Sequence, residues 1–182
     1  MKLGQLTSAV CEYHRASGRR PTVKFQLREP SLRCVTFLWG RAKNRINLPG
    51  GGVEYKEHPP YAGLCELRQE LGGYLFTIED VLSAELLAEG QVPTTRDGFS
   101  HKHLWIFELV VPNLTHLHPV LGQSDHNGEP IETLFGTELR DKQVHSSPES
   151  AAARIWSSDH TKPEAASLYI QALKEISRRA KR

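Results

Sequence analysis

The chain has 182 residues, of which 38% are hydrophobic and 24% are charged, with 14 Gly and 11 Pro. This composition predicts one globular domain with a sizeable core and excludes a disordered or fibrous chain. The formal net charge of +2 is too small to indicate nucleic-acid or membrane binding by overall electrostatics, so partners must be inferred from local sites.

The cysteines, Cys11, Cys34 and Cys65, are odd in number and widely spaced. This pattern argues against a disulfide framework or a paired-cysteine zinc site and is typical of a reducing compartment. The first twenty residues lack an apolar stretch long enough for a signal peptide, and no later stretch approaches a membrane span. We therefore expect a cytoplasmic protein that does not contact a membrane.

The first third of the chain predicts short strands that lead into a glycine-rich loop. Alternating apolar residues predict a strand over 22–28, and a continuously apolar run predicts an inner strand over 32–39, with a turn at 29–31. A basic loop over 41–45 then leads to Pro49 and three consecutive glycines, which end any regular structure.

A helix is predicted directly after the glycine-rich loop. Pro59 and Pro60 fit its first turn, where backbone N–H groups have no partner, and residues 61–71 continue it until two glycines end it. One face is apolar and is expected to contact the core through Leu64, Leu67 and Leu71.

The second half of the chain mixes strand and helix patterns. Residues 81–88 fit either a helix or a strand, whereas residues 101–111 are aromatic and β-branched enough for a buried strand. Residues 122–130 are a polar loop, and residues 131–135 are a short strand candidate. An amphipathic helix over 163–179 follows. This order of elements predicts an α/β layered sandwich.

The clearest chemical pattern lies in residues 48–73, LPGGGVEYKEHPPYAGLCELRQELGG, where a glycine turn precedes a helix that carries Glu66 and Glu70. Side chains four residues apart lie on one helix face, and two carboxylates there repel each other mildly unless a cation lies between them. Clustered oxygens are the ligands that Mg²⁺ and Mn²⁺ prefer. Gln69 borders the same face and offers a neutral oxygen.

Two more glutamates, Glu54 and Glu57, lie just upstream in the loop that the glycines begin. If this loop folds back on the helix, four glutamates converge on one region. A solvated helix face is the alternative, since glutamates four apart are ordinary there. The glycine run favours a ligand-binding site over a solvated helix face. Glycine loses much conformational entropy on folding, so three in a row need a reason, and close approach of the backbone to a metal or phosphate is such a reason.

The segment resembles the signature of the Nudix hydrolase family: Gly, five residues, Glu, seven residues, Arg-Glu, an aliphatic residue, any residue, Glu-Glu, any residue, Gly and an aliphatic residue. Six residues lie at signature positions: Gly51, Glu57, Glu66, Leu67, Glu70 and Gly72. Three residues depart from the signature: Cys65 replaces Arg, Gln69 replaces the first Glu of the pair, and Gly73 replaces the aliphatic residue.

The resemblance implies a Nudix-like α/β/α sandwich with a mixed β-sheet. Residues 1–182 would form a single domain, with an N-terminal extension over 1–20 and a C-terminal helix and basic tail over 163–182. It also implies a metal-dependent pyrophosphohydrolase that cleaves a diphosphate bond in a nucleoside diphosphate linked to another moiety, with Mg²⁺ or Mn²⁺ as the cofactor.

The resemblance assigns roles to individual residues. Glu66 and Glu70 take the positions of metal ligands and of the catalytic base, and Glu57 and Gly51 complete the metal site. A further catalytic carboxylate often comes from a later loop in this family, and Glu129 is the first candidate. The remaining candidates for this carboxylate are Glu132, Asp97 and Asp125. A turn position is an equally good explanation of Glu129.

The expected partner is a nucleotide or a nucleotide derivative. Arg41, Lys43 and Arg45 are candidates for phosphate binding, with Gly50 and Gly52 shaping the substrate site, although basic residues in exposed turns are usually solvated. The basic end over 177–182 is expected to be solvated too. An RNA 5′ end as the substrate and a homodimer stay open.

Aromatic and histidine residues provide weaker signals. Three aromatic residues could stack on a base: Trp39, Tyr55 and Trp105. The tryptophans lie in apolar strands, which favours the core for both. Two His-x-His pairs could in principle hold zinc: His101 with His103, and His116 with His118. Nothing in the sequence brings these pairs together.

A second interpretation of the resemblance is a Nudix-fold domain with weakened catalysis that binds a nucleotide or a protein. Cys65 and Gln69 favour it, because the family's arginine at the position of Cys65 pairs with the signature carboxylates and orients them. Arg68 cannot replace that arginine, since at about 100° per residue it points roughly 160° away from both Glu66 and Glu70.

Overall fold

The computed structural model describes residues 1–31, 34–35, 38–40, 45–71, 76–112, 131–133, 147–149, 152 and 163–182. Its helices are α1 (Ser8–Ala16), α2 (Pro59–Glu70), α3 (Ile78–Ser83) and α4 (Pro163–Ala180), and a 3-10 turn (Leu3–Gln5) precedes α1. Its strands are β1 (Arg19–Arg28), β2 (Cys34–Val35), β3 (Leu38–Gly40), β4 (Arg45–Asn47), β5 (Glu85–Pro93), β6 (His101–Val110) and β7 (Ile131–Thr133).

The larger sheet is mixed and has the strand order β2-β1-β6-β5. β1 runs parallel to β6 from the Arg19–His101 pair to the Arg28–Val110 pair, whereas β2 and β5 join as antiparallel neighbours. A smaller antiparallel sheet has the order β4-β3-β7. The mixed sheet and its helices confirm the predicted α/β architecture.

Helices cover both faces of the mixed sheet, so β1 and β6 are buried on both sides. Successive residues of β6 face opposite layers. Trp105 and Phe107 pack with residues of α1, α2 and α3, whereas Leu104 and Ile106 pack with residues of α4. The alternation expected for residues 22–28 is therefore present, but its polar members are buried as well, since α4 covers their face.

The glycine-rich loop extends the sheet along the edge of β1 that faces away from β6. The N–H of Val23 donates to the carbonyl of Gly51 at 3.0 Å, the N–H of Phe25 to Pro49 at 2.8 Å, and the N–H of Val53 to Pro21 at 3.0 Å. β4 ends at Asn47 and the glycines belong to no helix or strand, as the sequence predicts, but the loop still makes backbone hydrogen bonds to β1. This pairing fixes the loop beside the centre of β1.

One strand prediction was wrong. Residues 32–39 do not form a single inner strand, because β2 is the edge strand of the mixed sheet and β3 lies in the smaller sheet. An apolar run indicates that the residues are buried, but it does not indicate which sheet they join.

The ambiguous residues 81–88 divide between two elements, because α3 ends at Ser83 and β5 begins at Glu85. A capping box starts α3 upstream: the hydroxyl of Thr77 accepts from the N–H of Asp80 at 3.2 Å, and the carboxylate of Asp80 accepts from the N–H of Thr77 at 2.8 Å.

The remaining predicted elements agree with the structure to within three residues at each boundary. α2 and β6 each end one residue earlier than predicted, α4 ends one residue later, and β1 begins three residues earlier. β7 confirms strand structure at 131–133, whereas residues 134–135 and the loop over 122–130 lie outside the described residues. Across the described ranges, no helix has the length and apolar character needed to cross a lipid bilayer.

Residues 1–20, expected as an extension, are packed into the fold. Leu3, Leu6 and Cys11 are buried in the same core as β1 and α2. The side chain of Thr7 caps α1 by accepting from the N–H of Val10. Burial raises the pKa of the Cys11 thiol to about 12, which makes it an inert core residue.

Candidate active site

The packing of α2 against β1 determines where its carboxylates lie. A Cβ at Gly63 would lie 2.8 Å from Cζ of Phe25, so only glycine allows α2 to approach the strand this closely. Leu64 and Leu67 are buried beneath the helix, as the sequence predicts. Glu66 and Glu70 are half-buried, whereas Cys65 and Gln69 are exposed.

Both half-buried carboxylates lie against the glycine-rich loop. The Oε2 atom of Glu70 accepts from the N–H of Gly50 at 2.6 Å. A Cβ at Gly51 would lie 2.0 Å from Oε1 of Glu66, which shows how closely that carboxylate approaches the backbone. The structure thus brings Glu66, Glu70, Gly50 and Gly51 together, on the helix face that the four-residue spacing predicts.

A buried lysine that the sequence analysis overlooked completes this cluster. Lys24, in the centre of β1, is only 4% exposed, and its Nζ donates to the carbonyl of Gly50. Burial lowers the pKa of Lys24, and the neighbouring carboxylates of Glu70 and Glu66 oppose that shift. A lysine inside an alternating apolar strand was the available signal, since lysine is almost never fully buried without a partner.

Gly50 is therefore held from both sides. Its N–H donates to Glu70, its carbonyl accepts from Lys24, and its φ of +117° is a conformation that favours glycine. A Cβ at Gly50 would lie 2.4 Å from the carbonyl oxygen of Val23. Both backbone groups of Gly50 thus bind the protein itself, and its predicted role in shaping the substrate site stays a prediction.

Gly52 makes room for an arginine. A Cβ at this position would lie 2.6 Å from Cζ of Arg20. Arg20 forms ion pairs with Asp97 at 2.9 Å and with Glu54 at 3.4 Å. Asp97, one of the alternative catalytic carboxylates, is thus paired with a cation, and Glu54 lies beside the loop as the sequence predicts.

Glu57 closes a turn. Its Oε2 accepts from the N–H of Glu54 at 2.8 Å, and its own N–H donates to the carbonyl of Glu54 at 3.1 Å. Lys56 within this turn has a φ of +61°, and its N–H donates to Glu12 of α1 at 3.0 Å. The Glu57 carboxylate thus holds this turn through Oε2, and its place at the metal site stays a prediction.

Several predicted site residues cannot be placed next to the cluster. Four of them lie outside the described residues: Glu129, Asp125, Arg41 and Lys43. The backbone of Arg45 is part of β4, and the backbone of Glu132 pairs with Trp39 between β7 and β3.

The histidine pairs do not form a zinc site in the described part of the chain. The ring of His103 stacks on His14 of α1 with 3.8 Å between centroids and packs against Trp105, while His116 and His118 lie outside the described residues. Trp105 is only 2% exposed, which confirms the core assignment, and Tyr55 is 64% exposed.

The basic C-terminal end is anchored rather than fully solvated. Arg179 pairs with Glu85 at 2.8 Å, with Glu175 at 2.9 Å and with Glu108 at 3.4 Å, and its Nη2 donates to the carbonyl of Leu86. Hydrogen bonds from Arg178 and Arg179 lower the pKa of Glu175 to about 2. Arg179 is thus occupied within the protein and is not a free cation for an RNA backbone.

The cluster meets the needs of a divalent cation in part. Within the described ranges, no three His, Cys, Asp or Glu side chains come together as a metal-binding group. Mg²⁺, however, commonly binds one or two carboxylates, several waters and the phosphates of a substrate. Glu66 and Glu70, half-buried against the same loop, fit that smaller donor set.

Comparison with known proteins identifies the fold. No family model and no curated protein matches the sequence, but solved structures do. The MutT protein of Methanosarcina mazei is 15% identical, with a TM-score of 0.54 over 90% of this chain and 96% of that chain. The dihydroneopterin triphosphate pyrophosphohydrolase of E. coli is 14% identical, with a TM-score of 0.53 over 87% and 96%.

A Nudix hydrolase from Nitrosomonas europaea is 15% identical, with a TM-score of 0.49 over 88% of this chain and 89% of that chain. At such identities, similarity establishes the fold alone. The chain shares the fold of the Methanosarcina mazei MutT protein and the E. coli dihydroneopterin triphosphate pyrophosphohydrolase, which is the Nudix fold that the resemblance of residues 48–73 implied.

Proposed function

We propose that the protein is a metal-dependent hydrolase that cleaves a diphosphate bond in a nucleoside diphosphate linked to another moiety. Mg²⁺ or Mn²⁺ is the cofactor, and Glu66 and Glu70 are its ligands. The observation that carries the proposal is the convergence of these two carboxylates on the Gly50–Gly51 backbone. The name of the similar E. coli protein, a pyrophosphohydrolase, supports the same reaction class.

Each residue of the cluster would have its own role in the reaction. When bound, the divalent cation offsets the charge of the diphosphate and lowers the pKa of an attacking water. Glu70, oriented by the N–H of Gly50, and Glu66, close to Gly51, would present carboxylate oxygens to the cation on one side of α2. Arg96 carries a positive charge close enough to act on Lys24, so it is a candidate for binding a substrate phosphate.

A turnover assay with a matched variant tests this proposal. The substrates are ADP-ribose, dinucleoside polyphosphates, nucleotide sugars, nucleoside triphosphates and 5′-triphosphorylated RNA, each with Mg²⁺ or Mn²⁺. We expect turnover that requires the metal and that falls at least about a hundredfold in Glu70→Gln. Glu79→Gln, the same change at an exposed position of α3, is the control and keeps full activity.

The binding module remains the second candidate, and one observation favours it. Of the four glutamates expected to converge, Glu57 closes a turn and Glu54 pairs with Arg20, so two carboxylates remain on the glycine-rich loop. Nucleotide binding without metal-dependent turnover on any substrate of the panel would favour this candidate over the hydrolase.

A further inference from the structure

Lys24 occupies an unusual position for an ammonium group. It lies in the middle of β1, the strand that pairs on one side with β6 and on the other with the glycine-rich loop. Its neighbours Val23 and Phe25 point into the core shared with α2, so Lys24 points to the opposite face. A charged group this deeply buried is costly unless opposite charges offset it.

The charges that offset it belong to the proposed site. Glu70 and Glu66, in that order, are the carboxylates that act on Lys24, and Arg96 and Arg20 act in the opposite sense. Lys24 and Glu70 also bind the two ends of one residue, since the carbonyl of Gly50 accepts from Nζ and its N–H donates to Oε2. The lysine, the glycine and the glutamate therefore form one continuous chain of contacts.

The helix itself supplies no such cation. Cys65, adjacent to Glu66, is uncharged and exposed, and Arg68 turns away to donate to the carbonyl of Phe76 at 2.8 Å from Nη2. Two carboxylates at adjacent turns of one helix face repel each other. Within the described residues, the cation that binds the same loop residue as Glu70 comes from β1.

We propose that Lys24 is the resident counter-ion of the Glu66–Glu70 pair, a positioning residue that also fixes the Gly50 peptide against Glu70. The proposal rests on the proposed function, because it takes these two glutamates as the working carboxylates. Its consequence is that an arriving divalent cation must share the pair with an ammonium group. The lysine thereby weakens metal binding while it keeps both carboxylates in place without metal.

The first test measures charge coupling in the metal-free protein. In EDTA, we expect Lys24→Met to lower the melting temperature by about 5 °C or more, because two carboxylates lose their counter-ion. In a Glu70→Gln background, the same change is expected to cost less than half as much, since less charge remains to offset. Lys174→Met, at an exposed position of α4, is the control and shifts melting by less than about 1 °C.

If Lys24→Met lowers the melting temperature equally in the wild-type and Glu70→Gln proteins, the counter-ion role is overturned. Lys24 is then only a hydrogen-bond donor to Gly50. If Lys24→Met alone does not fold, folding of the double variant with Glu70→Gln supports the proposal, and failure of both overturns it. Lys24→Gln retains a donor but not the charge, so wild-type stability of this variant is a further result against the proposal.

The second test measures metal affinity from the electron paramagnetic resonance signal of free Mn²⁺. Because the ammonium group of Lys24 lies beside the same loop residue as Glu70 and repels a second cation there, we expect Lys24→Met to bind Mn²⁺ about tenfold more tightly than the wild type. Unchanged affinity overturns the proposal. If neither protein binds Mn²⁺, the metal-dependent function fails, while the coupling measured in EDTA still decides the role of Lys24.

Discussion

The three consecutive glycines allow the close approach that the sequence predicts, and the structure shows which groups of the protein take part in it. The sequence indicated close approach of the backbone to a metal or a phosphate. In the structure, the groups that approach belong to the protein itself: the side chain of Glu66 at Gly51, the side chain of Arg20 at Gly52, and the backbone of β1 at Gly50. The absence of side chains on the glycines therefore lets the carboxylate cluster assemble against the loop.

A substitution at Gly51 tests this explanation. A Cβ there would lie 2.0 Å from Oε1 and 2.1 Å from Cδ of Glu66. We expect Gly51→Ala to displace the carboxylate and to lower kcat at least about tenfold, while the melting temperature changes little because the end of a side chain can move. Steady-state kinetics and thermal unfolding of the same sample provide both measurements.

Gly18→Ala is the matched control. Gly18 has a φ of +72° and open space around the added methyl group, so the change costs about 1 kcal/mol of stability through backbone strain. We expect it to leave kcat unchanged. Loss of activity in Gly18→Ala, or full activity in Gly51→Ala, would contradict the steric explanation.

A second residue-scale prediction concerns the stacked histidines. Burial, with a further contribution from His14 and then Arg19, lowers the pKa of His103 to about 4. Burial and Arg19 lower the pKa of His14 as well, against an opposing effect of Glu89. The unfolded chain therefore binds protons at a higher pH than the folded protein, and stability is lost as the pH falls from about 6.5 to about 4.

Urea unfolding at a series of pH values measures this loss. His103→Phe keeps a ring against His14 and Trp105 but cannot be protonated, so its stability is expected to fall less steeply over the same interval. His101→Phe is the control, because His101 is exposed at the start of β6. If the unfolding free energy falls equally steeply with pH in His103→Phe and in the wild type, groups other than His103 control the acid sensitivity.

At the scale of elements, α4 is joined to the mixed sheet by an ionic network in addition to its apolar face. Arg179 contacts Glu85 of β5 and Glu108 of β6, and Glu108 is also paired with Arg28 of β1. The network therefore connects the helix to three neighbouring strands. Breaking a half-buried network of this kind leaves carboxylates without a partner.

We expect Arg179→Met to lower the free energy of unfolding by about 1–3 kcal/mol. Arg178→Met is a closely matched control, since among the described residues Arg178 pairs only with Glu175 of its own helix and is half exposed. Its loss of unfolding free energy is expected to be much smaller than that of Arg179→Met. Urea denaturation measures the free energy of unfolding of both variants. Similar losses in Arg179→Met and Arg178→Met would mean that the contacts of Arg179 with the strands add no stability beyond charge pairing within the helix.

Helices proved easier to predict than strand partners. α2 and α4 were located from apolar periodicity and proline or glycine boundaries, and their ends differ from the prediction by no more than two residues. The prediction of one inner strand over residues 32–39 was wrong, because strand pairing depends on partners elsewhere in the chain. α1 was missed, since this helix has nine residues and buries a single side chain, Cys11.

At the scale of the whole molecule, the fold was predictable and the site was predictable in part. The mixed sheet between helical layers follows from the element order and the resemblance of residues 48–73. The convergence of Glu66 and Glu70 on the glycines was visible in their spacing. The place of Lys24 in the cluster could not be predicted from the spacing, because it depends on β1 lying against a loop from another part of the chain.

The parallel pairing of β1 with β6 also constrains how the molecule is made. The two strands meet along their whole lengths although α2, α3 and β5 lie between them in the chain. Contacts so distant in sequence form late and slow folding, because the intervening segment must be closed into a loop first. During synthesis, Lys24 and the glutamates leave the ribosome well before β6, so the strand that holds the cluster gains its central neighbour only after these residues have been exposed to solvent.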